Sequence, residues 1–402
     1  MKNQIFRLHN VIQPYAWGST TAIADLLGRA NPDQATQAEL WMGTHLKGPS
    51  GVNANGMRIP LQELIAAHPV DILGADTARR FDNALPYLFK VLAAARPLSI
   101  QAHPNKLQAI DGFERENRDG KALDAPDRNY RDANHKPEII CALTPFWGLN
   151  GFRSADEIVD LLTPVCPSIL EAACQDLKSS RDGEGIRRFF VAMMTVSKGE
   201  RKAAAGEIRK KVGPMVARSP AYRWMNDLER FYPEDLGILS PALLNLVCLD
   251  PGQAMYLPAG QLHAYLDGVG IELMANSDNV LRGGLTPKHV DVGELLSVVR
   301  FAASAIETIE ARGVRPAEFL YDCPAEEFAL SVIQADAQQS YRSAATRSVE
   351  ILLCTSGEGT VTAGGRMVRR IEKGDSFLVP AAMDPYEIHG KLTIYKAAVP
   401  IF

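Results

Sequence analysis

The hydrophobic period of this chain changes twice, and the two changes restrict its architecture more than any other feature. From Ser154 to about Leu228 apolar residues recur at helical spacing, in "SADEIVDLL", "GIRRFFVAMM" and "KAAAGEIRKKV". Ser154 with Glu157 forms a capping box, in which hydroxyl and carboxylate each satisfy an amide at the start of the helix. Before this block the pattern is short β-like runs such as 86–91 and 98–102, broken by proline and glycine. After it, from Ala242, short strands with Pro/Gly turns return and continue to the C-terminus. Helices are also expected as a hairpin around Leu61–Ala67 and Ala75–Phe81, and near Val292–Val299. Residues 108–135 are charged and nearly free of core positions, and read as a long functional loop. The fold expected is mainly β with an α-helical insertion.

The C-terminal part carries an internal repeat. "PGQAMYLPAGQLHAYL" (251–266) aligns with "KGDSFLVPAAMDPYEI" (373–388), matching Gly252 to Gly374, Pro258 to Pro380 and Ala259 to Ala381. Each copy reads as turn, strand, Pro-Ala turn, strand, a unit that recurs in jelly-roll barrels. The copies differ at the returning strand, where the first has His263 and the second Pro385. The C-terminal copy is therefore expected to be a barrel without ligands.

Composition excludes several classes of protein. A net charge of −4 leaves no broad basic surface for nucleic acid or an anionic membrane. There is no run of 18 apolar residues and no apolar stretch of signal-peptide type near Met1. The six cysteines are scattered without a CxxC and read as reduced, mostly buried residues of a cytoplasmic protein. With 402 residues, two or three domains are expected at roughly 150 residues each.

In "PLSIQAHPNK" (97–106), Gln101 and His103 fall two apart in an alternating run, so both side chains share one face of a strand. Glu138 in "NHKPEII" and His263 in "AGQLHAYL" lie in similar β-like runs beside proline or glycine turns. Four N or O donors on rigid elements are what a zinc-type site requires. Each residue also has an ordinary structural reading, the histidines as hydrogen-bonded core residues and Glu138 as the partner of Lys136.

The segments "QPYAWGS", "AELWMGTH", "LPYLFKVL", "PLSIQAHPNK", "YRDANHKPE", "LPAGQLHAYL" and "GIELMANSDNVLRGGLTPKHVD" resemble, in order, the motifs of type I mannose-6-phosphate isomerases. The resemblance runs from about residue 10 to 300 and is weaker beyond. Departures are local: Pro14 stands where asparagine is more usual, Leu46 breaks a His-Pro type pair, and Gln261–Leu262 is an unusual filling before the histidine. The resemblance implies two cupin-type jelly-roll barrels plus a helical domain. Residues 1–150 and 236–300 would form the catalytic barrel, 151–235 the insertion and 301–402 the second barrel. It further implies one Zn2+ per chain on Gln101, His103, Glu138 and His263, with Arg282 of "NVLRGG" as an active-site residue.

Such enzymes move a proton between C1 and C2 of an open-chain sugar, which needs a base and a cation for the developing oxyanion. Arg282 suits either the oxyanion or the phosphate of the substrate. Glu272 in "GIELMANS" is the first candidate base, because its apolar neighbours raise a carboxyl pKa. Asp278, His135 and Lys136 are rivals. Ser99, Lys90 and Lys288 are candidate phosphate contacts, and Trp17 is a candidate wall of the sugar pocket. The expected partner is a small phosphorylated hexose, on a monomer or weak homo-oligomer, in mannose use or GDP-mannose supply. Two histidines and a carboxylate also suit iron, but Gln101 and the Lys/Arg set favour a phosphorylated substrate over oxygen chemistry. A sugar-binding barrel without catalysis would need no such quartet.

Overall fold

The computed structural model describes residues 4–401 except Asn55, and its strands form two antiparallel sheets, of eleven and ten strands among the described residues. Strand His263–Ala275 organises the ten-stranded sheet. Its first residues pair with Phe146–Phe152, and from Gly268 onward it lies between Tyr87–Ala94 and Glu138–Ala142. The exchange of partners happens at Gly268, whose φ is +123° and where a Cβ would sit 2.7 Å from the Pro145 carbonyl oxygen. A residue with a side chain fits neither the dihedral nor the gap. This bend lets one strand present His263 beside one set of neighbours and Glu272 beside another.

The repeat seen in the sequence is structural. Ala254–Leu257 and Ser376–Val379 are matched strands, each preceded by a glycine of positive φ, Gly252 at +93° and Gly374 at +88°. The returning strands His263–Ala275 and Tyr386–Ala398 are both 13 residues long, and Gly390 at +125° repeats the bend of Gly268. Pro385 falls just before its strand, and the interior beside it is filled by Phe377, Tyr341 and Tyr386.

Packing explains why the β-rich runs carry little alternation. On Tyr87–Ala94, Leu92 and Ala94 point into a cluster with Ile140, Phe146, Met255 and Tyr265, while Phe89, Val91 and Ala93 join a second cluster. That second cluster also holds Leu8, Ile271, Leu330, Ile351 and Tyr395, so it is built from both sheets. A strand covered on both faces is apolar throughout. Each such fully buried aliphatic or aromatic side chain contributes roughly 1.5–3 kcal/mol.

The helical block begins where the sequence places it. Ala155–Leu162 starts at Ser154, with both halves of the capping box formed. The block runs further than Leu228, through Leu236–Leu239 and Ser240–Leu243, before strand Leu244–Leu249. Its core residues Ile158, Leu162, Phe189, Met225 and Leu228 share one cluster with Ile100, Leu149, Phe152 and Leu281 of the sheet. The helices therefore back the strands that carry Gln101 and Arg282.

The expected loop over 108–135 is corrected: Lys106–Arg118 is a helix, capped by Asn105 and Gln108 as a second capping box. Its charge conceals a narrow buried face of Ala109, Gly112 and Glu116, and Glu116 accepts the backbone amides of Asn129 and Tyr130. The expected hairpin at 61–81 is three short helices, Leu61–Ala67, Pro69–Leu73 and Ala75–Arg80. The interruption near 292–299 is a helix, Val292–Val298. No described helix is long and apolar enough to cross a membrane.

Candidate metal centre

His103, Glu138 and His263 come together although they are far apart in sequence, with one ligand atom of each lying within 4.8 Å of the others. All three are buried. His103 follows the short strand Ile100–Ala102, Glu138 opens Glu138–Ala142, and His263 opens the long central strand. Each imidazole donates its Nδ1–H to a backbone carbonyl, His103 to Asn279 at 2.7 Å and His263 to Gln261 at 3.0 Å. Each Nε2 is therefore a bare lone pair. The two lone pairs face the Glu138 carboxylate at 3.4 and 3.3 Å. Both Nε2 atoms and Glu138 Oε2 are buried without a hydrogen-bond partner. Three acceptors converging with no proton between them repel one another, and a cation resolves the conflict. The donor set of two nitrogens and a carboxylate oxygen fits a zinc-type ion.

The electrostatics keep this set ready for a cation. Burial, then the Lys136 ammonium, pushes His103 down to about 4, so its imidazole is neutral at pH 7. Burial favours protonation of Glu138, but the Lys136 ammonium opposes it and lowers the carboxyl pKa. Lys136 Nζ lies 2.9 Å from Glu138 Oε1. The ordinary reading of Glu138 as an ion-pair partner is thus true alongside the ligand reading. Gln101 is half-buried, with His263 opposite it on one side and Arg282 on the other.

A cavity of about 280 Å³ opens on these residues and is lined by Gln101, Glu138, Lys136, Lys90, Glu272 and Arg282. Lys90 and Glu272 pair at 2.8 Å across adjacent strands. Glu39 lies 3.8 Å from Lys90 and accepts the Trp41 indole N–H at 2.7 Å. Burial lowers the Lys90 pKa, but Glu272 and Glu39 outweigh it and hold the amine protonated far above neutrality. Burial raises Glu272, with the carboxylates of Glu138 and Glu39 adding to it against Lys90. Arg282 is half-buried and has no carboxylate partner among the described residues. Burial and Arg131 both lower its pKa.

The remaining candidates separate cleanly. Trp17 and Ser99 line the cavity half-buried, and Lys288 lines it at an exposed rim. His135 instead pairs at 2.5 Å with Glu327. Asp278 holds Lys47 at 2.8 Å and His45 at 3.3 Å, and it lines a different cavity. The structure leaves both out of the cavity lining, each held by a partner elsewhere. Sequence reasoning missed Glu39 and Tyr265, which also line the cavity. A signal for each existed: Glu39 is the one acid of the otherwise apolar "ELWM", and Tyr265 follows His263 at the same-face interval of two.

A fold of two antiparallel sheets, with two histidines and a carboxylate converging beside a cation-rimmed cavity, defines a β-rich protein with a candidate metal centre. Comparisons with known proteins narrow this. Residues 5–155 match the family model of the phosphomannose isomerase type I catalytic domain, and 321–399 match that of the mannose-6-phosphate isomerase cupin domain. Mannose-6-phosphate isomerase of Escherichia coli (strain K12) is 42% identical over 390 residues, covering 96% of this chain and 98% of that protein. The Bos taurus enzyme of the same name is 36% identical over 90% of this chain and 89% of its own length. A crystal structure of a mutant phosphomannose isomerase from Salmonella typhimurium has a TM-score of 0.92 at 37% identity, covering 99% of this chain and 100% of that one. A zinc-bound holo mannose 6-phosphate isomerase gives 0.91 at 36%, with the same coverage. The chain belongs to the type I mannose-6-phosphate isomerase family.

Proposed function

We propose that the protein interconverts mannose 6-phosphate and fructose 6-phosphate, using one zinc ion per chain on His103, Glu138, His263 and Gln101. The observation that carries this reading is the pair of bare Nε2 lone pairs facing a buried carboxylate, Glu138, which lines a cavity that also holds the unpaired Arg282. Zinc-bound structures of similar mannose 6-phosphate isomerases support the choice of metal. When bound, the ion supplies Lewis-acid polarisation of the C1 and C2 oxygens.

The residues of the chain supply the proton transfer. Glu272 is the base in this reading, taking the proton from C2 and returning it to C1 through an enediol or enediolate. Its environment suits that role, because Lys90 faces two carboxylates, Glu272 and Glu39, and one of them can accept a proton while the other keeps the pair. Lys136, also in the cavity, holds Glu138 and sets its orientation. Arg282, next to Gln101 in the strand register, donates to the sugar oxyanion. Lys288 at the rim, with Ser99, takes the phosphate, and Trp17 closes the apolar side of the sugar. In the same reading the two sheets are two cupin-type jelly rolls, the first divided between 1–150 and 236–300 around the insertion 151–235, the second in 301–402. The protein works in the cytoplasm.

The test is a coupled assay of mannose 6-phosphate conversion before and after chelation, with zinc added back. Activity lost on chelation and restored by zinc supports the reading. Activity that ignores chelation keeps the isomerase and removes the metal from catalysis, and inactivity of zinc-loaded protein rejects the substrate.

A further inference from the structure

A second cavity, of about 380 Å³, shares no lining residue with the metal cavity. Strand Glu39–Met42 separates the two, Glu39 lining one and Leu40 the other. Three arginines from three different segments line the second cavity. Arg7 lies on strand Phe6–His9, Arg58 on strand Met57–Pro60, and Arg29 follows helix Ala22–Leu26. Strand Phe6–His9 pairs with both Ser376–Val379 and Gly51–Ala54, so the cavity lies where the N-terminal segment meets the C-terminal repeat.

The charge at this place is only partly compensated. Arg7 is paired with Asp375, but Arg29 and Arg58 have no carboxylate partner among the described residues, and no acidic residue lines the cavity. Arg58 Nη2 lies 3.1 Å from His9 Nδ1. A guanidinium only donates, so Nδ1 is the acceptor and Nε2 carries the hydrogen. That Nε2 is buried and has no acceptor among the described residues. Burial, then Arg58, Arg7 and Arg29, lowers the His9 pKa, so the imidazole stays neutral and adds a donor rather than another charge. Ser376 accepts from Asn10 at 2.7 Å, which leaves its hydroxyl hydrogen available to a ligand. Leu8, Ile12, Leu27 and Leu40 supply the apolar part of the lining.

Arg29 and Arg58, exposed at the cavity mouth without a counter-charge, stand beside the paired Arg7, and a bound anion would be attracted to the two unpartnered guanidiniums. Fork-shaped guanidinium donors match phosphate oxygens. We propose that this cavity is a second, non-catalytic anion site for a small phosphorylated metabolite, its phosphate held by Arg29, Arg58 and Arg7 and its organic part on the leucine-isoleucine floor. Occupancy would tie the N-terminal segment to the C-terminal repeat.

The experiment is calorimetric titration of the metal-loaded protein with inorganic phosphate and with adenosine 5′-diphosphate, a readout independent of the catalytic reading. The expected result is one saturable site per chain that binds the nucleotide more tightly than phosphate. Arg29→Glu with Arg58→Glu should weaken it by on the order of tenfold or more, with kcat for mannose 6-phosphate unchanged. Arg29→Ala alone, at an exposed position outside any strand, should weaken binding without touching the fold. Arg282→Ala should leave this binding intact. Undiminished binding in the charge-reversed variant overturns the proposal, as do loss of binding in Arg282→Ala and equal affinity for phosphate and nucleotide.

Discussion

His103 and His263 are tied in the same way: each gives its Nδ1–H to a main-chain carbonyl and turns a bare Nε2 toward Glu138. Their ring centroids are 5.1 Å apart. The carbonyls of Asn279 and Gln261 thus select the tautomer that can bind a metal, before any metal arrives.

His103→Ala and His263→Ala should each lose metal and activity together, with far-UV circular dichroism unchanged. Metal analysis by mass spectrometry checks this. Full metal occupancy in either variant would remove that histidine from the site.

Arg282→Ala should keep the metal and lose turnover, because the guanidinium has no structural partner to release. The expected fall in kcat is about 10²–10³, the range seen when one donor to a developing oxyanion is removed. Arg282→Lys should recover little of it, since one ammonium cannot replace a planar fork. Near-normal kcat in the alanine variant would place Arg282 outside the chemistry.

The interior of the C-terminal repeat holds a buried charge cluster where the first copy contributes a candidate metal ligand, His263. Lys396 contacts Glu318 and lies 3.3 Å from Glu350, which also accepts from Tyr386 at 2.8 Å. All of these residues are buried. Burial lowers the Lys396 pKa, but the neighbouring Glu350, Tyr341 and Glu318 outweigh it and raise it, so the amine stays charged. Lys396→Met should destabilise the protein by about 3 kcal/mol or less, because the two carboxylates lose one buried cation and keep Arg347 and Arg315. Urea unfolding measures this, and kcat at 25 °C should be unchanged. A loss below about 1 kcal/mol would show that water or rearrangement replaces the lysine.

Asp278 gives a pH signature. Burial raises its pKa, but hydrogen bonds from His45 and Lys47 outweigh it and hold the carboxyl well below its ordinary 3.8. A depressed carboxyl contributes stability that is complete above its unfolded value and fades as pH falls through the folded one. Wild type should therefore lose more stability than Asp278→Asn between pH 5 and pH 2, by roughly the same experiment at each pH. Parallel loss in both proteins would mean the His45–Asp278–Lys47 group adds nothing.

Gly112→Ala tests the helix that charge concealed. A Cβ there would meet the Tyr130 ring at 2.5 Å, so the helix must shift away from its neighbour. The expected cost is about 1–3 kcal/mol by thermal or urea unfolding. An unchanged midpoint would show that the 106–118 helix and Tyr130 move apart freely.

Much of the fold was legible because it depends on local order. The Ser154 capping box, the helical period after it and the repeat of glycine turn, strand and Pro-Ala turn are all set by neighbours a few residues away. The helix Lys106–Arg118 was not legible, since its buried face holds one alanine, one glycine and a glutamate, which no hydrophobic count detects. The ligand residues His103, Glu138 and His263 were visible as types in β-like runs, and motif resemblance singled them out. Their convergence was not visible in the spacing.

The sequence by itself determined the helical block after Ser154 and the β-rich stretches around it, where the repeat falls, and which residue types were available for metal and phosphate chemistry. Tertiary structure decided which of those residues meet. It placed Glu272 opposite Lys90 and Gln101 opposite His263, and it sent His135 to Glu327 and Asp278 to Lys47. The physical reason is that strand pairing joins residues more than a hundred positions apart, and a single bend such as Gly268 re-aims every side chain beyond it.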